Sequence, residues 1–485
     1  MPLSLNAITF YYFDNTLERN MKQDTFWTFA EHSLAYSSGN AAVVGIHRKG
    51  SYHWLVTLIL FLVFTAAAQG QQYYYVDCSG ANPSDYPTIS SALANVTGPG
   101  AVVLVIGTCT ENVSISNALN LNLGAWYGQT ASLVGSISVD ASESVFLYGL
   151  NVTNPSGNGF NITSSRAVTL ESCTSNENQA LGLSATALSE VTLVGPSSFD
   201  KNGTGGIQLN NNAVLNINNW QGGPTDISNN QGPGVRVGAG SLFSTIGTTT
   251  ISNNSSPVTS GNPPVAFGIV ILSEGKVQMG TCYGSNTIQG NLGGGIFSQE
   301  NSELSLWYCG LPYQSYILDN GPVGISAGLG SQVTLYQDVQ ISGHSESGIE
   351  LYGNSQLNIN GNNLISENGT AGNLRSAGIV VDGNSEAYLR GGQISRNHGP
   401  GILALVNSSA DFMGASFNGN SGGIIDCDSS AFMVSDLATR SGNACRTPHN
   451  LGNRHDRFIA PAIPDSNALK NRHAQYRKMA TGKPH

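Results

Sequence analysis

From about residue 173 to residue 424 one frame recurs along the chain: an apolar residue, Asn three positions later, then Gly followed by Ile, Val or Leu, usually four positions further on. The Asn column reads Asn176, Asn202, Asn230, Asn254, Asn291, Asn320, Asn368, Asn397 and Asn420, and His344 fills the one slot without Asn. The Gly of each pair recurs every 22 to 34 residues, from Gly159 to Gly423. A unit this short cannot enclose a core of its own. It buries its apolar face only by stacking on the next unit, which makes the chain a solenoid.

Each unit reads as three short strands. Gly348-Ile349-Glu350-Leu351-Tyr352 alternates after the marker glycine, a Gly-Asn-Ser turn follows, Leu357-Asn358-Ile359 alternates again, and Leu364-Ile365 leads to the Asn. The fold class is therefore all-β: a right-handed, three-sided parallel β-helix of about 12 coils at about 4.8 Å each. Alternation turns Val168 and Leu170, Val191 and Leu193, Val333 and Leu335, Leu357 and Ile359, and Ala410 and Phe412 inward. The Asn column has a structural explanation, because Asn tolerates a left-handed backbone and its amide can bond the Asn of the next coil. His344 is read as a substitute in that stack. An open end needs a cap, and Tyr86 to Asn95, with Ile89 and Leu93 on one face, reads as a short helix that plugs the first coil.

Charge and termini narrow the function. Residues 71–445 hold 8 Lys/Arg against 24 Asp/Glu, and residues 446–485 hold 8 against 2. An acidic body argues against nucleic acid as partner. The basic segment 446–485 reads as a disordered tail. Between Trp54 and Ala68 lies an apolar run preceded by His47, Arg48 and Lys49. Its length falls short of the roughly 20 residues of a membrane span, so residues 43–68 read as a signal peptide and membrane attachment would require that it stay uncleaved. Residues 1–42 are an atypical extension: either a long leader or a start assigned too early. The β-helix then covers residues 69–445, and the protein is expected to be secreted or at the cell surface. Cys78 with Cys109, Cys282 with Cys309 and Cys427 with Cys445 make three short-range disulfide pairs, leaving Cys173 inward and alone. No Cys/His metal spacing occurs, so a zinc site is not expected and no cofactor is predicted, with calcium at Asp426 and Asp428 a possibility the sequence leaves unsupported. Asp426 and Asp428 fall short of a calcium ligand set.

The stretch from Asp77 to Ile115 carries Tyr86-Pro87-Thr88-Ile89-Ser90-Ser91-Ala92-Leu93, then Gly98-Pro99-Gly100, then Gly107-Thr108-Cys109-Thr110-Glu111-Asn112-Val113. It resembles the opening segment of parallel β-helix proteins of the pectin lyase-like superfamily, whose members commonly have Tyr where Cys109 stands. The resemblance implies the fold and leaves the activity open, since the superfamily contains lyases, hydrolases, esterases, epimerases and proteins of no known activity. Gly343-His344-Ser345 and Asp411-Phe412 are only fragments of the motifs that separate those activities.

Two insertions follow the Asn position, at residues 255–267 and 369–377, and loops on a rigid solenoid commonly carry its function. The second holds Arg375 and overhangs the face where Glu350, Tyr352 and Asp382 point outward, with Arg390 and Arg396 on nearby coils. These six residues are candidates to bind a sugar, and two carboxylates could hydrolyse a glycosidic bond. On the same face Val270, Leu272, Phe297, Leu403, Leu405 and Ile425 should point outward, an apolar stripe that suggests homo-oligomerisation. The leading expectation is a secreted β-helix that binds or processes polysaccharide along a lateral groove. The alternative is a non-catalytic surface or matrix protein, a rigid rod for adhesion.

Overall fold

The computed structural model describes residues 71–434 apart from 83–84, 128, 130, 221–222, 256–266, 311, 374 and 429. The expectations for residues 1–42, 43–68 and 446–485, for Cys445 and for most of the first insertion lie outside the described residues. Within them the chain winds as a right-handed parallel β-helix with three walls. The first wall, to which Ser347–Tyr352 belongs, is a sheet of 13 strands, where the spacing implied about 12 coils. The second wall holds Gln356–Asn360 and the third Leu364–Ser366. These two form one 27-stranded sheet because Val102–Thr110 serves both: its first half pairs with Leu119–Ala125 and its second with Ala131–Val134. Neighbouring coils pair in parallel, as where Gln356–Asn360 lies between Gln332–Leu335 and Glu386–Arg390.

Alternation sets the core as read. Val168, Leu170, Val191, Leu193, Val333, Leu335 and Leu357 are fully buried, and Ile359, Ala410 and Phe412 nearly so. Each such aliphatic side chain contributes roughly 1.5–3 kcal/mol when removed from water, and stacking is what removes it. The cap helix is shorter than expected, Ile89–Leu93. Thr88 caps it by accepting from the Ser91 N–H at 3.0 Å, and the Glu111 carboxylate accepts from the Ile89 N–H at 2.6 Å and the Ser90 N–H at 3.0 Å. Ile89 and Ala92 join the same continuous core as Val103 and Val113.

The Asn column forms a buried ladder at the corner between third and first walls. The Asn254 amide donates to Asn291 Oδ1 at 2.9 Å and to Ile227 O at 3.1 Å, while its own Oδ1 accepts from the Asn230 amide at 2.9 Å. The unit repeats through Asn202, Asn230, Asn291, Asn320, Asn368, Asn397 and Asn420. Two details correct the sequence reading. Asn178, not Asn176, holds the first expected slot: its amide donates to Asn202 Oδ1 at 2.7 Å, and its Oδ1 accepts from the Asn154 N–H, which extends the ladder one coil earlier. Asn176 instead accepts from the Asp200 N–H at the surface. Nor is the ladder residue the left-handed one. That conformation belongs to the residue before it, as at Lys201 (φ 55), Asn229 (φ 55), Glu367 (φ 59) and Arg396 (φ 54). Asn is present for its carboxamide alone.

The marker glycine follows from the ladder. A Cβ on Gly348 would sit 2.7 Å from Ile365 Cγ2 and 2.8 Å from Asn368 Nδ2, inside both. His344 keeps the stack in its own slot, with Nδ1 3.2 Å from Asn320 O and Nε2 3.1 Å from Ile317 O. A second ladder, unforeseen, lines the corner between first and second walls, where buried serines bridge coils: Ser142 N–H to Ser165 Oγ, Ala213 N–H to Ser241 Oγ, and Ser355 N–H to Ser385 Oγ.

Cys78 is bonded to Cys109 and Cys282 to Cys309, Cys427 is also disulfide-bonded, and Cys173 is free and buried. Among the described residues no helix is long and apolar enough to cross a membrane.

Candidate functional site

Register brings the outward side chains of the first wall into one file. Val270 neighbours Phe297, then come Ser326, Glu350, Val380 and Leu403. The file is not the continuous exposed stripe read from alternation. Val270 and Leu272 pack with Phe267, Val323 and Phe297 in one cluster, and Val380 and Leu403 pack with Ala377 and Leu405 in another. Val270 is 9%, Leu272 3% and Leu403 6% exposed, whereas Phe297, Leu405 and Ile425 are half-buried, so the stripe expected to drive oligomerisation is covered at three of its six positions.

Between the two clusters lies a polar island. The adjacent outward file runs Gly328, Tyr352 and then Asp382, since Gly328 pairs with Tyr352 and Leu351 with Val381, which sets Asp382 one step further along beside Tyr352. A Cβ on Gly328 would collide with the Tyr352 ring, so the ring lies across the preceding coil and its hydroxyl meets the Gln299 amide two coils away. Arg375, from the second insertion, donates to Glu350 Oε1 at 2.7 Å. Only 16% of the Glu350 side chain is exposed. Burial pushes its pKa above the usual carboxylate value, Arg375 pulls it back, and the negative charges of Glu346 and Asp382 push it up further.

Four of the six sequence candidates therefore converge: Glu350, Tyr352, Arg375 and Asp382. The other two do not. Arg390 leaves the second wall to make a two-pronged ion pair with Asp411, at 2.9 and 3.3 Å. Arg396 stands beside the ladder, paired at 2.7 Å with Glu367, the equivalent left-handed residue one coil earlier. Both are on nearby coils as expected, but each faces outward from a different part of the coil. Gln299 and Ser326 belong to the island and were missed. Their signal was the shared alternation of Phe297 with Gln299 and of Ser326 with Gly328.

The island brings together a carboxyl with a raised pKa, a second carboxylate, a guanidinium and a phenol ring. Asp428 has another role: against burial, the Ser430 hydroxyl and the Val406 and Ser430 N–H groups donate to its carboxylate and hold its pKa down. Cys78, Cys109 and Glu111 cluster closely enough to ligate a metal, but the two sulfurs are bonded to each other and Glu111 caps the helix.

No protein-family model matches the chain, and no curated protein is similar to it. Solved structures with related folds include a mannuronan C-5 epimerase A-module from Azotobacter vinelandii, at 16% identity over 70% of this chain and 91% of that one, with a TM-score of 0.43. An alginate lyase from Paenibacillus sp. str. FPU-7 has 12% identity over 75% and 98%, with a TM-score of 0.25. A mannuronic acid specific polysaccharide family 6 lyase from human gut microbiota has 11% identity over 84% and 95%, with a TM-score of 0.30. At these values they carry nothing about activity, and the fold rests on the strand register itself.

Proposed function

We propose that this chain is a secreted β-helix that binds polysaccharide against its first wall and cleaves it at the Glu350 island. The observation that carries this is the 2.7 Å contact by which Arg375 reaches from the insertion to a largely buried Glu350, beside Tyr352 and Asp382. A carboxyl whose pKa is raised by burial keeps its proton nearer neutral pH and can act as general acid. In hydrolysis Glu350 would give its proton to the glycosidic oxygen as the bond to the anomeric carbon breaks. Water would add to that carbon and lose its proton to Asp382. Tyr352 would stack on a sugar ring, and Arg375 would orient Glu350.

The Cys78–Cys109 and Cys282–Cys309 disulfides are compatible with an oxidising compartment, and the mature chain would begin near Gln69. The second reading, a non-catalytic adhesive rod, is favoured by the same ion pair, which also ties the insertion onto the wall. Release of reducing or unsaturated ends from a panel of polysaccharides separates the two. Glu350→Gln should lower release by about 100-fold or more while the melting temperature stays near that of the wild type. Absence of release from every polysaccharide would leave the adhesive reading.

A further inference from the structure

The corner between second and third walls carries aromatic side chains in place of a repeated ladder residue. Tyr283 is 53%, Tyr336 49% and Tyr313 37% exposed, and Trp307 is half-buried. They lie on three successive coils. Gly280 pairs with Trp307, and since Leu306 pairs with Leu335, Tyr336 takes the equivalent place on the coil after. A Cβ on Gly280 would run into the Trp307 ring, so the indole lies across the preceding coil while staying half-exposed. The Cys282–Cys309 disulfide fixes the turn bearing Tyr283 to the turn that follows Trp307, with the two Cα atoms 4.9 Å apart. Its two cysteines are half-buried at this corner rather than deep in the core. Exposing these rings to water does nothing to hold the coils together, yet the chain braces them.

The chemistry of the corner selects its occupant. Residues 71–434 contain 7 Lys/Arg against 23 Asp/Glu. Five of those cations, Lys201, Lys276, Arg375, Arg390 and Arg396, are already ion-paired. A uronate chain would meet a negative field with few free cations to offset it. The C–H faces of an uncharged pyranose, in contrast, complement the electron-rich face of an aromatic ring. We propose that this corner is a second glycan-binding surface, specific for neutral polysaccharide, with sugar rings laid on Tyr283, Trp307 and Tyr336. It takes its ligand class from the polysaccharide reading above but uses none of the Glu350 island.

Affinity electrophoresis of the full chain tests it, in gels containing soluble neutral glucan or mannan and, in parallel, polygalacturonate or alginate. Wild type and Glu350→Gln should be retarded by a neutral polysaccharide and pass the polyuronates freely. Combined Trp307→Ala and Tyr336→Ala should weaken that retardation by roughly tenfold or more, equivalent to about 1.4 kcal/mol. Gly280→Val, which keeps the indole but tilts it away, should weaken it as well, with circular dichroism confirming that each variant is folded. Retardation unchanged in the folded double variant, retardation by polyuronates alone, or none by any neutral polysaccharide overturns the proposal. Sugar release by a chain that ignores neutral gels would sink the corner and keep the Glu350 reading. Retardation through the corner without any release would do the reverse.

Discussion

Two corners of the same coil have opposite construction. At the turn from third to first wall one carboxamide repeats from Asn178 to Asn420, broken only by His344, and bonds to its equals on neighbouring coils. At the turn from second to third wall the residues change from coil to coil, and Tyr283, Trp307 and Tyr336 reach toward solvent. The first corner spends its polar atoms on the chain itself. The second keeps its surface available and is held by a disulfide. The contrast teaches where to look in a solenoid: a position that repeats answers to the backbone, and a position that departs from the repeat is open to answer to something else.

The comparison breaks most visibly inside the ladder. Asn254→Ala removes the amide bonded to Ile227 and Asn291 and the oxygen that accepts from Asn230. Urea unfolding should show a loss of roughly 2–4 kcal/mol; a loss below about 1 kcal/mol would mean the stack is decoration. The register can be sharpened next. Asn178→Ala should cost roughly 1–2 kcal/mol more than Asn176→Ala, and equal costs would reinstate the column read from the sequence.

His344→Asn follows, with a gain of about 0.5–1 kcal/mol expected from completing the amide series. Burial holds the His344 pKa below its ordinary 6.5, although the Asn320 and Ile317 carbonyls and Asp319 oppose this. A depressed folded value means the unfolded chain binds the proton more readily. The contribution of His344 is therefore in place above about pH 6.5 and is lost as pH falls through the folded value. The variant should lose that part of the acid sensitivity; identical slopes in pH-dependent melting would assign it to another group. Smallest of all, Tyr336→Ala should shift stability by no more than roughly 0.5 kcal/mol, and a loss on the ladder's scale would show that the ring belongs to the core.

The aliphatic columns were legible because period two recurred at every coil, so a pair such as Val333 and Leu335 could be placed without knowing its neighbours. The ladder slipped at Ser175-Asn176-Glu177-Asn178 because two amides compete there. What decides between them is the left-handed residue just before the slot, and Lys201, Glu367 and Arg396 show that this residue has no characteristic type. The serine ladder escaped because Ala213 and Gly275 interrupt it and serine is common throughout. At the island, Glu350, Tyr352 and Asp382 were legible from alternation alone. Arg390 and Arg396 were given the right coils but not the right side of them. Distance along a solenoid axis is written in the repeat, whereas direction around it depends on where each corner bends.

Cys173 is completely buried, and burial pushes its thiol pKa up to about 12. At neutral pH almost none of it is thiolate, so an alkylating reagent in solution has nothing to attack while the coils stay closed. Its rate of labelling becomes an internal clock for how often neighbouring turns part, in a chain where the Asn178 rung is only a few residues away. A slow clock in the wild type and a fast one in a rung variant would time the breathing of the stack from within.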